Sequence, residues 1–199
     1  MTAYITATGV QGHSAYPHRA KNPVSALAQL CADLAAMELD QGTELFDPST
    51  LAVTTIDTGN TANNVIPAEA KATINIRFND AHHSDGLKAM IEAQAADVAG
   101  KTGVTFDSEF QVSGESFFTE PGAFSELIAD AVEAETGNRP VASTSGGTSD
   151  ARFITHHCPV VEFGLVGKTM HQVDEHVEVA HIHALKAIYA RVIERYFAK

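Results

Sequence analysis

A chain of 199 residues is long enough for one good-sized domain or two small ones. Its 44% hydrophobic and 19% charged residues match a globular protein and exclude a disordered tail. A formal net charge of -12 works against binding phosphate backbones or anionic headgroups, and no window approaches the apolar run that a membrane span needs.

Taken in order, residues 3–10 alternate, with Tyr4, Thr6 and Thr8 set against Ile5 and Ala7, which predicts a half-buried strand and no signal peptide. Gly9 to His18 breaks that pattern with glycines, a proline and two histidines. Asn22 as N-cap and Pro23 in the first turn predict a helix to about Leu39, with Val24, Leu27, Ala28, Leu30, Cys31, Leu34 and Met37 on one side. A strand over Leu51–Thr58 and a turn over Gly59–Asn64 follow, the turn closed by Val65-Ile66-Pro67. Ala70–Phe78 reads as a third strand with Ala72, Ile74, Ile76 and Phe78 on one face. A second helix begins at His82 or Ser84 and is stopped by Gly103, and Val104–Val112 is a fourth strand. The order β-α-β-β-α-β predicts a ferredoxin-like unit over 1–113: a four-stranded antiparallel sheet with both helices on one face.

The rest, 114–199, reads as the end of an α/β domain. It has a helix over Ala123–Glu135, a short strand at Val141–Ser143, and a glycine loop leading to a helical turn over Asp150–Thr155. A buried strand at Pro159–Phe163, a polar loop with His171, and a helix over Ala180–Phe197 complete it. Two strands are too few for a covered sheet, so the domain's earlier strands are expected to lie outside these 199 residues. Cys31 and Cys158, far apart and in apolar settings, read as reduced core residues of a cytoplasmic protein.

His171 follows a buried run, where histidines do chemistry, but a hydrolytic zinc site needs at least three protein ligands. The sequence has no H-E-x-x-H, no adjacent glutamates and no C-x-x-C to complete one. The rings of His181 and His183 diverge on a helix, His82-His83 opens one, and His156-His157-Cys158 reads as structural. Gly146-Gly147-Thr148-Ser149 reads equally as an anion cradle of successive N–H groups or as a plain turn. Arg77 reads first as an exposed strand arginine, with bidentate carboxylate binding as the functional alternative. Asn63-Asn64 reads first as a turn pair. His13, flanked by Gly12 and Ser14, is exposed enough to meet a substrate.

Four stretches together resemble the di-zinc amidohydrolases of the aminoacylase and carboxypeptidase group, in order and along the whole chain. They are Gly12-His13-Ser14-Ala15-Tyr16-Pro17-His18; Asn63-Asn64-Val65-Ile66-Pro67 leading to Asn75-Ile76-Arg77-Phe78; Gly146-Gly147-Thr148-Ser149-Asp150-Ala151-Arg152-Phe153; and Met170-His171-Gln172-Val173-Asp174-Glu175. The resemblance implies that 1–113 is a lid that makes a homodimer, its exposed sheet edge and first helix pairing, and that 114–199 returns to a catalytic α/β domain. It implies a catalytic role for His13, which reaches into the partner's site and stabilises an oxyanion. Tyr16, Asn63, Arg77, Gly146, Gly147 and Thr148 become substrate-binding residues, with Arg77 taking a carboxylate, and His171 becomes a ligand of one of two zinc ions. Gly167 stands where some members carry an asparagine. In that group the remaining zinc ligands and the general base precede the lid, so this chain is expected to be a truncated form, without catalysis and with weak metal binding or none. The Ala-Tyr-Pro-His loop and the Gly-Thr-Ser-Asp motif favour members that cleave N-succinyl-diaminopimelate in lysine biosynthesis over those that deacetylate acetylornithine. A stand-alone dimerisation or ligand-binding module is the reading from another class.

Overall fold

The alternation at the start of the chain becomes the inner seam of a sheet in the computed structural model, which describes residues 1–144 and 149–198. Two units emerge, Met1–Phe117 and Phe118–Lys199. The first runs β1 (Thr2–Thr8), β2 (Gly12–His13), α1 (Pro23–Ala35), β3 (Thr50–Asp57), β4 (Val65–Ile66), β5 (Glu69–Arg77), α2 (Ser84–Thr102) and β6 (Thr105–Gln111). β1 pairs antiparallel with β5 on one side and β6 on the other, and β3 pairs with β5, giving the order β3-β5-β1-β6. This is the expected β-α-β-β-α-β sheet, with the ribbon β2–β4 added to it.

Period two sorts the two faces. Ala3, Ile5 and Ala7 of β1 and Ala70, Ala72, Ile74 and Ile76 of β5 are buried against α1 and α2, while Tyr4, Lys71 and Arg77 are exposed on the other face. Leu27, Leu30, Leu34, Leu87 and Ile91 close the core, each contributing about 1.5–3 kcal/mol. α1 begins as its sequence predicts: the Val24 N–H donates to Asn22 Oδ1 at 3.0 Å, ahead of the free first turn that Pro23 tolerates. It ends at Ala35, short of the expected Leu39, and Ala26 takes the core position that Ala28 was expected to fill. The reason is angular. Ala26, Leu27, Leu30, Cys31 and Leu34 form a continuous stripe at helical spacing, and Ala28 lies outside it. Gly103, at φ 69, caps α2 with its N–H on Ala99 O.

The second unit contains α3 (Ala123–Thr136), α4 (Ala151–Ile154) and α5 (Val179–Phe197). Ile128, Ala131 and Val132 of α3 pack on Ile188 of α5, with Phe124, Val161, Phe163 and Val192 partly buried beside them. The strands expected at Val141–Ser143 and Pro159–Phe163 do not form. A strand is stable only when its N–H and C=O groups find a ladder, and among the described residues this unit offers none. Val161 and Phe163 settle on the helix pair instead, where the Tyr189 hydroxyl donates to Phe163 O at 2.6 Å. Val141 is left 91% exposed. Without the sheet Cys158 is exposed, against the expectation of a core residue, whereas Cys31 is buried. Among the described residues no helix is long and apolar enough to cross a membrane.

Candidate functional site

Two glycines fold the segment after β1 back on itself. The Gly9 N–H donates to Ala68 O at 2.8 Å, and Val10 and Lys21 exchange backbone bonds at 2.9 and 3.0 Å. A Cβ on Gly9 would lie 2.1 Å from Lys21 O, and one on Gly12 would lie 2.8 Å from Ala20 Cβ. Only glycine permits either approach. The returning loop then pairs β2 with β4, Gly12 opposite Ile66 and His13 opposite Val65. The Ser14 N–H donates to Asn64 O at 2.9 Å. His13 is thereby fixed next to the Asn63-Asn64 turn, fifty residues on.

Short side chains build that turn. Asp57 Oδ1 accepts from the Gly59 N–H at 2.8 Å, Asn60 Oδ1 from the Ala62 N–H at 3.1 Å, and Asn60 Nδ2 donates to Val65 O at 2.9 Å. Asn60 was not singled out from sequence, although the density of asparagines in Gly59–Asn64 is the local signal for it. Asn63 is exposed and, with Asn22, Val24, Asn60 and Ile66, lines an open groove of about 440 Å³.

The His13 ring is exposed, and its orientation is fixed from behind: Nδ1 accepts the Ala15 N–H at 3.1 Å. In the neutral imidazole this assigns the proton to Nε2, so the outer nitrogen is a donor. Tyr16 packs against the ring at 5.8 Å between centroids, His18 meets Tyr16 edge-on at 6.3 Å, and Arg19 Cζ lies 5.2 Å over the Tyr16 ring. His13, Tyr16 and Asn63 therefore share one end of the first unit.

Arg77 does not join them. It closes β5 opposite Thr50, whereas the His13 ribbon follows the Thr8–Glu69 end of the same sheet. Eight residue steps separate Glu69 from Arg77, roughly 26 Å at the usual rise of a strand.

In the second unit, His171 occupies a tight polar loop and is exposed. Thr169 Oγ1 donates to His176 O at 2.9 Å and accepts the His176 N–H at 3.0 Å, which clasps the loop shut. The His171 N–H donates to Glu175 Oε2 at 3.3 Å. His171 and Asp174 both have φ 61, a left-handed conformation that costs an L-residue about 1–2 kcal/mol. The Thr169–His176 clasp escaped sequence reading because it joins two polar loop residues with no periodicity. At Gly167 a Cβ would meet Met170 Cε at 2.6 Å, so the Met170 side chain takes the space an asparagine would enter. Gly146, Gly147 and Thr148 lie outside the described residues. Of the other histidines, His82 pairs with Asp40 at 3.0 Å, and His181 lies 3.8 Å from Glu178.

Among the described residues no three His, Cys, Asp or Glu side chains come together to hold a metal ion. One imidazole does not meet the three or four donors that zinc takes, so no step through a metal follows from these residues.

Sequence and fold both connect this chain to known proteins. It is 67% identical over 198 residues to the succinyl-diaminopimelate desuccinylase of Dinoroseobacter shibae, and 68% identical over 197 residues to that of Cereibacter sphaeroides. The matches take in 100% and 99% of this chain but 52% of each relative, so the chain spans about half the length of the curated relatives it matches. Its fold is similar to a tripeptidase from Staphylococcus aureus, with TM-score 0.77 and 18% identity over 100% of this chain and 52% of that one. It is also similar to aminopeptidase PepT from Bacillus cereus, with TM-score 0.74 and 20% identity over the same shares. The profile of the peptidase dimerisation domain matches residues 1–103, the stretch that contains β1, β3 and β5 of the sheet, both its helices and the β2–β4 ribbon beside Asn63, and by that match the chain belongs to the peptidase dimerisation domain family.

Proposed function

We propose that this chain is the lid and the returning segment of a cytoplasmic amide hydrolase that cleaves N-succinyl-diaminopimelate to succinate and diaminopimelate in lysine biosynthesis. The observation that carries this is the 67% identity to a desuccinylase along the whole chain. The geometry of His13 supports it. An Nε2–H aimed outward, with Nδ1 held by the Ala15 N–H, is a preorganised donor for the oxyanion that forms when an amide carbonyl is attacked. Asn63, beside it on the ribbon, offers an amide to the same substrate. Arg77 takes a carboxylate in bidentate fashion from the other end of the sheet.

That separation supports a homodimer. A substrate the size of a tripeptide spans about 10 Å, much less than the roughly 26 Å along β5. Each site therefore takes Arg77 from one protomer and His13 with Asn63 from the other, the protomers pairing through an open sheet edge and α1. Gly146, Gly147 and Thr148 belong to the substrate loop of this reading. Zinc belongs to it as well: His171 supplies one ligand, and the others come from outside these 199 residues. The strained backbone at His171 is consistent with a residue held for function.

Joining the chain to the segments of the Dinoroseobacter shibae relative outside the match tests the proposal. The hybrid should release succinate from N-succinyl-diaminopimelate, and the 199-residue chain alone should not. His13→Ala in the hybrid should lower kcat about 10²- to 10³-fold, as loss of an oxyanion donor does. Turnover by the chain alone with stoichiometric metal would overturn the reading, and faster cleavage of N-acetylornithine would transfer it to the deacetylases. A second reading, a dimerisation module without catalysis, draws on the family description of residues 1–103; it predicts a dimeric but inert hybrid.

A further inference from the structure

The chain has 25 acidic residues against 13 Lys and Arg, yet none of the acidic ones occurs before Asp33. The Lys and Arg residues of that stretch are Arg19 and Lys21, and Arg19 lies on the loop that carries His13. Elsewhere basic side chains meet carboxylates: Arg139 with Glu126, Asp130 and Glu133, Lys101 with Asp97, Lys88 with Asp85. Among the described residues no carboxylate lies within ion-pair distance of His13, His18 or Arg19. In an acidic protein, a positive patch left clear of the protein's own carboxylates attracts an anion from outside.

The patch is also organised. Pro17 opens a short 3-10 turn over Pro17–Arg19. The Tyr16 N–H donates to His13 O at 2.9 Å, and the Arg19 N–H to Tyr16 O at 3.0 Å. The Tyr16 ring braces the Arg19 guanidinium, and a guanidinium held over an aromatic ring keeps N–H donors for an acceptor. The guanidinium and the His13 ring both touch the Tyr16 ring, so at most about 11 Å separates them. A four-carbon acyl chain with a hydrogen bond at each end spans about 10 Å.

We propose that Arg19, braced on Tyr16 beside His13, recognises a carboxylate and selects acyl groups that end in one over neutral acyl groups. A succinyl group reaches Arg19 with its terminal carboxylate while its carbonyl lies at His13, and an acetyl group has nothing to offer Arg19. The proposal rests on the reading of His13 given above and names the acyl class that the site prefers.

The test titrates succinate, with acetate for comparison, into the 199-residue chain at low ionic strength. The NMR signals of the Arg19 Nε–H and the histidine rings report binding. Succinate should shift the Arg19 and His13 signals saturably, and acetate should need about tenfold more. Arg19→Gln should weaken succinate about tenfold, and Arg19→Lys, which keeps the charge but loses the fork, should weaken it less. Lys21→Gln removes the same charge two residues away and should leave succinate binding unchanged. Equal responses to succinate and acetate, or equal losses in Arg19→Gln and Lys21→Gln, would overturn the proposal. An unchanged backbone amide spectrum in each variant shows that the fold is intact, and Arg19→Lys carries the comparison if Arg19→Gln disturbs it. The readout needs neither metal nor turnover, so a failure here is distinct from an inactive hybrid.

Discussion

Asp40, in the long connection between α1 and β3, collects an unusual number of donors for one carboxylate. It accepts from the Gly42 N–H at 2.7 Å, the Ser49 N–H at 3.2 Å, Asn79 Nδ2 at 2.7 Å and His82 Nε2 at 3.0 Å. Asn79 is itself 4% exposed and also donates to Asp47 O, so the cluster ties the connection to the turn after β5. Burial alone would raise the Asp40 pKa, but the Ser49, Gly42 and Asn79 hydrogen bonds outweigh it and hold the carboxyl well below the usual carboxylate range. The folded value is depressed, so the stabilisation is fully present above the unfolded pKa of about 3.9 and is lost as pH falls through the lower folded value. Asp40→Asn keeps the shape, removes the charge and turns an amide N–H₂ toward donors. It should cost about 2–3 kcal/mol near neutral pH. Urea melts of both proteins should show that gap from pH 7 to about 5 and a narrowing gap below about 4; a constant gap would assign the effect to packing instead.

At the scale of elements, local chemistry and long-range pairing separate cleanly. The Asn22 cap is local, since its Oδ1 serves the Val24 N–H and its Nδ2 reaches Ser25 Oγ at 3.1 Å. Asn22→Ala should therefore cost about 1 kcal/mol, read as a lower urea midpoint with an unchanged slope. Gly9→Ala should cost more, because Lys21 O at 2.1 Å from the added Cβ is backbone and cannot rotate away. A smaller effect at Gly9 than at Asn22 would contradict the close approach. The first unit was legible for the same reason: alternation in β1 and β5, the Asn22-Pro23 start and the Gly103 stop are each decided within a few residues. The end of α1 was misjudged because Met37 and Leu39 keep apolar spacing after the helix has stopped. The strands at Val141–Ser143 and Pro159–Phe163 were misjudged because a short apolar run becomes a strand only beside a partner. The candidate site residues were read from sequence one at a time. His13 and Asn63 could each be singled out, but neither their junction through β2–β4 nor the roughly 26 Å between that ribbon and Arg77 has a signature in sequence. The Asp40–Asn79–His82 cluster was invisible, since these are polar loop residues and Asp40 lies 39 and 42 positions before its two partners.

For the whole molecule, the two units carry very different amounts of core. Among the described residues, eighteen buried side chains make the first unit's cluster and four make the second's. α5 shows the contrast within one helix: Ile188 is buried, while Ile182, Ile193, Tyr196 and Phe197 on the same element are 48% to 74% exposed. Stability follows buried apolar surface, and local opening follows its shortage. Amides of β1, β5 and α1 should therefore exchange only through global unfolding of the first unit. Those of α3 and α5 should exchange sooner, and those of residues 149–178, with α4 as their one short helix, sooner still. Heating should give two transitions, the second unit melting first and the sheet later, with Asp40→Asn shifting only the later one. Hydrogen exchange by mass spectrometry, read peptide by peptide beside a calorimetric scan, decides this. One cooperative transition with even protection across both units would mean that the second unit draws stability from more than the α3–α5 contact. The same measurement on the hybrid adds the other half of the comparison: if the added segments cover the exposed side of α5, protection should rise at Ile182, Ile193 and Tyr196 and stay constant in β1.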